Sequence, residues 1–281
     1  MNIRLTRREL IQKSLAGFGV LSLPVALTAC GDDTESTAGN ALKVQFLHGV
    51  ASGDPLHDRV ILWTRLTPND NAARLEVVWE IASDEDFKQL VNTGKVQTNA
   101  AQDFTVKVDA DRLRAGTEYY YRFRFGNTVS AVGQTKTLPQ RSDQVKFAVC
   151  SCSNYPAGYF HVYKEMALES NLDVIIHLGD YIYEYGQGGY ATDDAKQLGR
   201  TFAADNDKEI IKLDDYRKRY ALYRSDADLQ AAHQRYPFIV IWDDHELSND
   251  TWEAGADNHQ EDEGSFIERK LAALQAYFEW M

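Results

Sequence analysis

Three short apolar runs, Lys146–Cys150, Asp173–Leu178 and Pro237–Trp242, each break off into a dense cluster of metal-capable side chains. The first leads into Cys150-Ser151-Cys152-Ser153-Asn154-Tyr155. The second ends in His177-Leu178-Gly179-Asp180-Tyr181-Ile182-Tyr183-Glu184-Tyr185, and the third in Asp243-Asp244-His245-Glu246. The runs read as buried strands, and a helix predicted over Tyr159–Ser170 makes the first two a parallel pair with a crossover. In open parallel sheets, ligands bind beyond the carboxyl ends of the strands. Three such ends bring thiol, carboxylate, phenol and imidazole groups to one rim, and that convergence constrains the fold more than any single motif does.

The side chains on this rim suit a cation cluster. Asp180 follows a glycine, so its carboxylate is free to swing off the strand end and bridge two ions. Tyr183, three residues on, returns to the same site if the chain turns. A phenolate and a thiolate favour a trivalent or soft-tolerant ion such as iron, whereas carboxylates with amide or water ligands favour calcium, magnesium or manganese. Such a cluster lowers the pKa of a bound water and clamps phosphate oxygens. His245 is then positioned to protonate the leaving oxygen or stabilise its charge.

Plainer readings stand beside these. The Asp243–Asp244 pair fits the cap of a helix beginning near Glu246, and Asp180 alone fits a turn. His177 suits a core histidine as readily as a site residue, and Cys150 is expected in packing. His161, His233 and His259 lack ligand spacing and are expected to be packed or solvated. The acidic stretch Asp250–Glu263 is expected to be a solvated face. A disulfide between Cys150 and Cys152 is disfavoured, because closing it two residues apart on a strand strains the backbone.

Before position 139 the texture differs. Strands are predicted at Lys43–Val50, Arg59–Leu66, Leu75–Ala82, Thr105–Val108, Tyr119–Phe125 and Ser130–Thr135. Turn residues fall at Ser52-Gly53-Asp54-Pro55, Thr67-Pro68-Asn69-Asp70, Ala115-Gly116 and Gly126-Asn127. This pattern suggests a small β-sandwich with the Tyr119–Phe125 aromatics in its core. After position 185 come a polar insertion over Gly186–Asp207 and helices predicted at Leu213–Tyr223, Asp226–Gln234 and Ser265–Met281. A formal net charge of −12 argues against a duplex-binding protein, whose affinity comes from clustered Lys and Arg. Bound cations would invert the local field and let an acidic protein handle phosphate esters.

At the N-terminus, Thr6-Arg7-Arg8-Glu9-Leu10 precedes a modestly apolar stretch, Ile11–Ala29, that ends in Leu27-Thr28-Ala29-Cys30. The segment resembles a bacterial twin-arginine signal with a lipobox, with a short membrane anchor as the other reading. Export through the twin-arginine machinery to the periplasm or cell surface, with a lipid tether at Cys30, is the expectation. Residues 31–41 read as a solvated tether.

Taken together, the chain resembles the PhoD-type alkaline phosphatases and related phosphodiesterases. The resemblance rests on His48-Gly49-Val50-Ala51-Ser52-Gly53-Asp54-Pro55, Val60-Ile61-Leu62-Trp63-Thr64-Arg65, Cys152-Ser153-Asn154-Tyr155, Asp173–Tyr185 and Trp242–Glu246. It implies an all-β immunoglobulin-like sandwich over residues 42–139, then the N-terminal part of an α/β metallophosphoesterase domain over 144–281, an incomplete αββα-type sandwich. It also implies ferric iron with calcium, and hydrolysis of phosphate mono- and diesters by water attack. By position, Cys152 and Tyr183 would bind iron, and Asp180 would bridge iron and calcium. Asp244 would sit at a calcium-side ligand position that is asparagine in many relatives, and His245 would assist the transition state. The family's remaining Asp and His ligands are expected beyond Met281, so the chain reads as truncated. A catalytically inactive β-sandwich lipoprotein with a vestigial site is the alternative function. A phospholipase of the same architecture is a third.

Overall fold

The computed structural model describes residues 42–70 and 74–281; the signal, the tether and Cys30 lie outside them. Among the described residues, ten strands precede position 140: β1 (Val44–Gln45), β2 (Val50–Gly53), β3 (Val60–Arg65), β4 (Thr67–Pro68), β5 (Leu75–Ala82), β6 (Leu90–Thr98), β7 (Thr105–Ala110), β8 (Glu118–Phe125), β9 (Thr128–Val129) and β10 (Gly133–Lys136). After them come β11 (Phe147–Cys150), α1 (His161–Leu168), β12 (Val174–His177), α2 (Ala195–Leu198), α3 (Leu213–Arg224), α4 (Ala227–Arg235), β13 (Phe238–Val240) and α5 (Phe266–Trp280). Among the described residues, no helix is long and apolar enough to cross a membrane.

One sheet is antiparallel, in the order β10-β8-β5-β6 with β9 against β8. A six-stranded mixed sheet runs β11-β12-β13-β2-β3-β7. Its β11, β12 and β13 are parallel, as the crossover helix requires, and β2, β3 and β7 are antiparallel. The join is narrow: β13 meets β2 at the Phe238–Gly53 pair, supported by Asp54 N–H donating to Phe238 O at 3.1 Å. A Cβ on Gly53 would lie 2.9 Å from that carbonyl, so the junction requires glycine.

Strand β3 shows why its sequence reads as continuously apolar. Val60 and Leu62 enter one core with Val77, Ile81, Tyr121 and Phe123, while Trp63, on the opposite face, enters a second with Ile175, Tyr220, Phe238 and Trp280. Alternation with period two thus feeds two cores from one strand. Each such side chain contributes roughly 1.5–3 kcal/mol on burial. Helix α5 starts at Ser265, whose hydroxyl caps the Glu268 N–H, and buries Phe266, Arg269, Ala273, Ala276, Tyr277 and Trp280 at helical spacing. Trp280 donates its indole N–H to Asp103 at 3.1 Å, and Trp63 donates to Glu279 O at 2.8 Å, which fastens α5 to β3. On the other side of the parallel strands, Phe147, Val149 and Ile239 are exposed.

Several expectations need correction. Lys43–Val50 is two strands, not one, because Gly49 turns the chain at φ +67°. Ser52 and Gly53 belong to β2 rather than to a turn, and Thr67–Pro68 pairs with β1. Strand β6 has no counterpart among the expected strands, since its exposed Thr93, Lys95 and Gln97 and half-buried Asn92 give no apolar alternation. The Gly186–Asp207 insertion is packed rather than purely polar loop: it carries α2 and buries Ala195, Arg200, Phe202 and Asn206. The acidic stretch is solvated only in part, for Ala256 is buried within it.

Candidate metal centre

The site is assembled where β11, β12 and β13 end. Beyond β11 the Cys152 N–H donates to Gly179 O at 3.1 Å, and the Ser153 N–H donates to Asp180 O at 2.9 Å. These bonds zip the first loop onto the second. Cys152, Gly179 and Asp180 all have positive φ, at 59°, 109° and 52°. Only glycine tolerates such a backbone cheaply, so two non-glycine residues here mark strain held by the surroundings. Gly179 is also pressed against the third loop. A Cβ there would lie 2.4 Å from the Asp243 N and 2.8 Å from the Trp242 carbonyl carbon.

The third loop is a short 3-10 turn, Asp244–Glu246, capped by Asp243, whose side chain accepts from the Asp244 N–H. The Glu246 side chain returns to the Asp243 N–H, completing a capping box. Glu246 is buried and accepts from the backbone of Asp180 and Tyr181 as well, so one carboxylate ties loops two and three together. Burial raises its pKa to about 7.

Asp180 lies at the centre. The Cys152 thiol and the Tyr183 hydroxyl both stand 3.4 Å from its Oδ2. For a hydroxyl and a carboxylate that spacing is long. Its Oδ1 is buried and has no hydrogen-bond partner. Burial, opposed by His245 and Cys152 and reinforced by Asp244 and Asp243, raises the Asp180 pKa. Ligand-capable atoms of Asp180, Asp244 and His245 all lie within 4.8 Å of one another. Burial and the neighbouring Asp180 and Cys152 charges push the Tyr183 phenol above its ordinary range. A buried carboxylate oxygen without a donor, beside a second carboxylate, a phenol and a thiol, is a donor set that fits a cation.

His245 donates or accepts through Nδ1 to Glu184 Oε2 at 2.8 Å, and its ring lies 4.4 Å from that of Tyr183. Burial lowers its pKa, but the Glu184 hydrogen bond and charge outweigh this and raise it. The loop carrying Tyr183 and Tyr185 hangs from Arg219 of α3. That buried guanidinium donates to the Tyr183 and Tyr185 carbonyls, the latter at 2.7 Å.

The structure thus brings Cys152, Asp180, Tyr183, Asp244 and His245 to one place. His177 is a core residue. Its Nε2 bonds the Tyr163 hydroxyl at 2.9 Å, its Nδ1 accepts from the Gly179 N–H at 3.2 Å, and burial lowers its pKa to about 4. Cys150 packs against the interior. Both cysteines are free, and Cys152 departs from the strand conformation expected for the pair. His233 is buried, bonding Tyr181 at 2.8 Å; His161 and His259 pair with Asp228 and Glu263. Sequence reasoning gives no role to Glu184 or Arg219. Glu184 stands in view inside the Tyr183-Glu184-Tyr185 cluster, whereas nothing near Arg219 in the sequence signals a buried loop anchor.

Two family models match: "PhoD-like phosphatase, N-terminal domain" over residues 33–139, and "PhoD-like phosphatase" over residues 147–281. The chain belongs to the PhoD-like phosphatase family. It is 43% identical to the alkaline phosphatase D of Bacillus subtilis (strain 168) over 286 aligned residues, covering 98% of this chain and 48% of that protein. A solved structure described as "Structure of PhoD" matches at 43% identity and a TM-score of 0.75, covering 84% of this chain and 46% of that one. The chain therefore spans about half the length of the curated relative it matches.

Proposed function

We propose that this chain carries one part of the site of an exported, metal-dependent alkaline phosphatase or phosphodiesterase. The observation that carries the reading is the convergence on Asp180: an unpartnered buried carboxylate oxygen, with Cys152, Tyr183, Asp244 and His245 around it. Family membership supports a phosphate-ester substrate. We assign the immunoglobulin-like sandwich to residues 42–139 and the first part of a metallophosphoesterase domain to residues 144–281. The twin-arginine pattern and Cys30 support export with a lipid tether.

In this reading Cys152 and Tyr183 would hold ferric iron, Asp244 would hold calcium, and Asp180 would serve both ions. Bound cations would supply Lewis acidity toward the phosphate oxygens and lower the pKa of water. The protein's own part is orientation and proton handling. Glu184 raises the pKa of His245 above that of a free imidazole, and the protonated ring is the form that donates a proton to a leaving oxygen. Glu246 and the Cys152–Gly179 bond keep the three loops in register.

The test is metal analysis of the purified 281-residue chain together with turnover of p-nitrophenyl phosphate and bis-p-nitrophenyl phosphate. Bound iron and calcium with turnover that Asp180→Ala abolishes is the expected result. Turnover that survives Asp180→Ala refutes the bridging role, and a chain with neither metal nor turnover supports the inactive lipoprotein instead.

A further inference from the structure

We propose that Tyr190 is a specificity-determining residue, an aromatic platform for the flat aromatic group of a phosphate ester whose phosphoryl group lies at the Asp180 centre. The proposal rests on the phosphatase reading above for the place of the phosphoryl group.

Tyr190 is the outer member of a four-ring cluster. Tyr183 lies 4.4 Å from His245 and 6.0 Å from Tyr190 between ring centroids, and it is inclined by only 21° to Tyr190. Tyr185 lies 5.7 Å from each of the same two rings. Tyr183 and Tyr185 therefore join Tyr190 to the imidazole assigned to the leaving oxygen. Tyr183 is buried and Tyr185 half-buried, whereas Tyr190 is 58% exposed. The cluster presents its free aromatic surface one ring away from the site.

An exposed tyrosine on a glycine-bearing surface turn is ordinarily mobile. This one is held from behind. The Gln187 N–H donates to Asp207 O at 2.7 Å, and the Gly189 N–H donates to Gly186 O at 3.0 Å. The buried Thr192 hydroxyl accepts from the Gly188 N–H at 3.0 Å and donates to Gly189 O at 2.9 Å. Ala191, the next residue, sits at φ +56°, a conformation that a non-glycine residue keeps only where its surroundings impose it. A ring fixed in this way loses little freedom when a ligand stacks on it. Aromatic pairs also attract beyond the area they bury. A phosphoryl group at Asp180 and Asp244, with its leaving oxygen toward His245, carries its organic group toward Tyr185 and Tyr190. A flat aromatic group can stack there, and a methyl group cannot. Packing alone would make Tyr190 matter to stability, but it would give no discrimination between the two.

The test titrates the 281-residue chain, reconstituted with ferric iron and calcium, with phenylphosphonate and with methylphosphonate by calorimetry. The wild type should bind phenylphosphonate the more tightly. Tyr190→Ala should lower the phenyl-to-methyl affinity ratio about fivefold, and Tyr190→Phe, which keeps the ring, should hold it within about twofold. In a co-crystal of the wild type with phenylphosphonate, the phenyl ring should lie against Tyr190. A ratio unchanged in Tyr190→Ala, or lowered as far in Tyr190→Phe, overturns the proposal and leaves the phosphatase reading standing. A phenyl ring turned away from Tyr190 does the same even if neither variant folds. So does a metal-loaded wild type that binds phenylphosphonate no better than methylphosphonate. A wild type that takes up neither metal and binds neither phosphonate overturns the phosphatase reading together with the proposal.

Discussion

Glu246 and Asp180 lie 66 residues apart in sequence, yet the Glu246 carboxylate accepts the backbone N–H of Asp180 at 3.0 Å. It also takes the Tyr181 N–H at 2.7 Å, so the loop bearing the central carboxylate is fixed by the turn bearing His245. Removing the acceptor leaves buried donors unpaired, each costing roughly 1–3 kcal/mol. Glu246→Ala should therefore destabilise the fold by about 3 kcal/mol or more in urea unfolding, and Glu246→Gln by less. Equal stability of Glu246→Ala and wild type would contradict the tie.

Gly179 permits the approach of the second and third loops. Its φ is +109°, and a β-carbon added at this position would meet the Asp243 N at 2.4 Å, which leaves no room for alanine. Gly179→Ala should cost several kcal/mol, roughly 3 or more, and lower metal affinity along with stability. Titration calorimetry of wild type and variant with calcium checks this; unchanged stability and affinity would sink it.

Arg219 supports the Tyr183–Tyr185 loop by donating to backbone carbonyls rather than to a carboxylate. Arg219→Met keeps much of the apolar stem but strands those carbonyls. The expected loss is about 2–4 kcal/mol, with faster amide exchange in the 183–185 loop than elsewhere. Uniform exchange across the chain would argue that the arginine serves only the global fold.

Buried neutral histidines make stability fall on acidification. Burial, with Arg65 and Arg224 nearby, lowers the His48 pKa to about 3, and burial lowers that of His177 to about 4, both from 6.5. Folded pKa values lie below the unfolded value, so the unfolded chain binds more protons beneath pH 6.5. Stability is then complete above that pH and is lost as pH falls toward the folded pKa values, at up to about 1.4 kcal/mol per pH unit for each group. Urea midpoints measured at mildly alkaline, mildly acidic and more acidic pH should decline in that order, and His48→Gln should flatten the decline. An unaltered slope in that variant would show that His48 does not contribute.

Much of the fold and site is legible in the sequence because apolar strands bounded by Gly, Pro and Asp are local signals. The crossover pair β11–β12 and the polar clusters ending at Cys152, Asp180 and His245 follow from such patterns. What stays hidden depends on partners distant in sequence. Strand β6 is polar and half-exposed, and it is defined by its pairing with β5 rather than by its own residues. The same holds for Gly53, which reads as a turn residue because nothing local tells that Phe238 will approach it. Glu184 and Arg219 are buried charges that satisfy donors and acceptors on other segments, and charge in a sequence reads as surface until those partners are known.

We propose Asp180 as the hub of a cation site with phenolate and thiolate ligands. Reconstituting the chain with ferric iron and recording its visible spectrum and metal content probes that role, since a phenolate bound to ferric iron gives a charge-transfer band. Wild type should bind iron and show the band, Tyr183→Phe should lose the band while keeping most of the iron, and Asp180→Ala should lose both. Iron binding with an unchanged band in Tyr183→Phe, or full iron content in Asp180→Ala, would contradict the assignment.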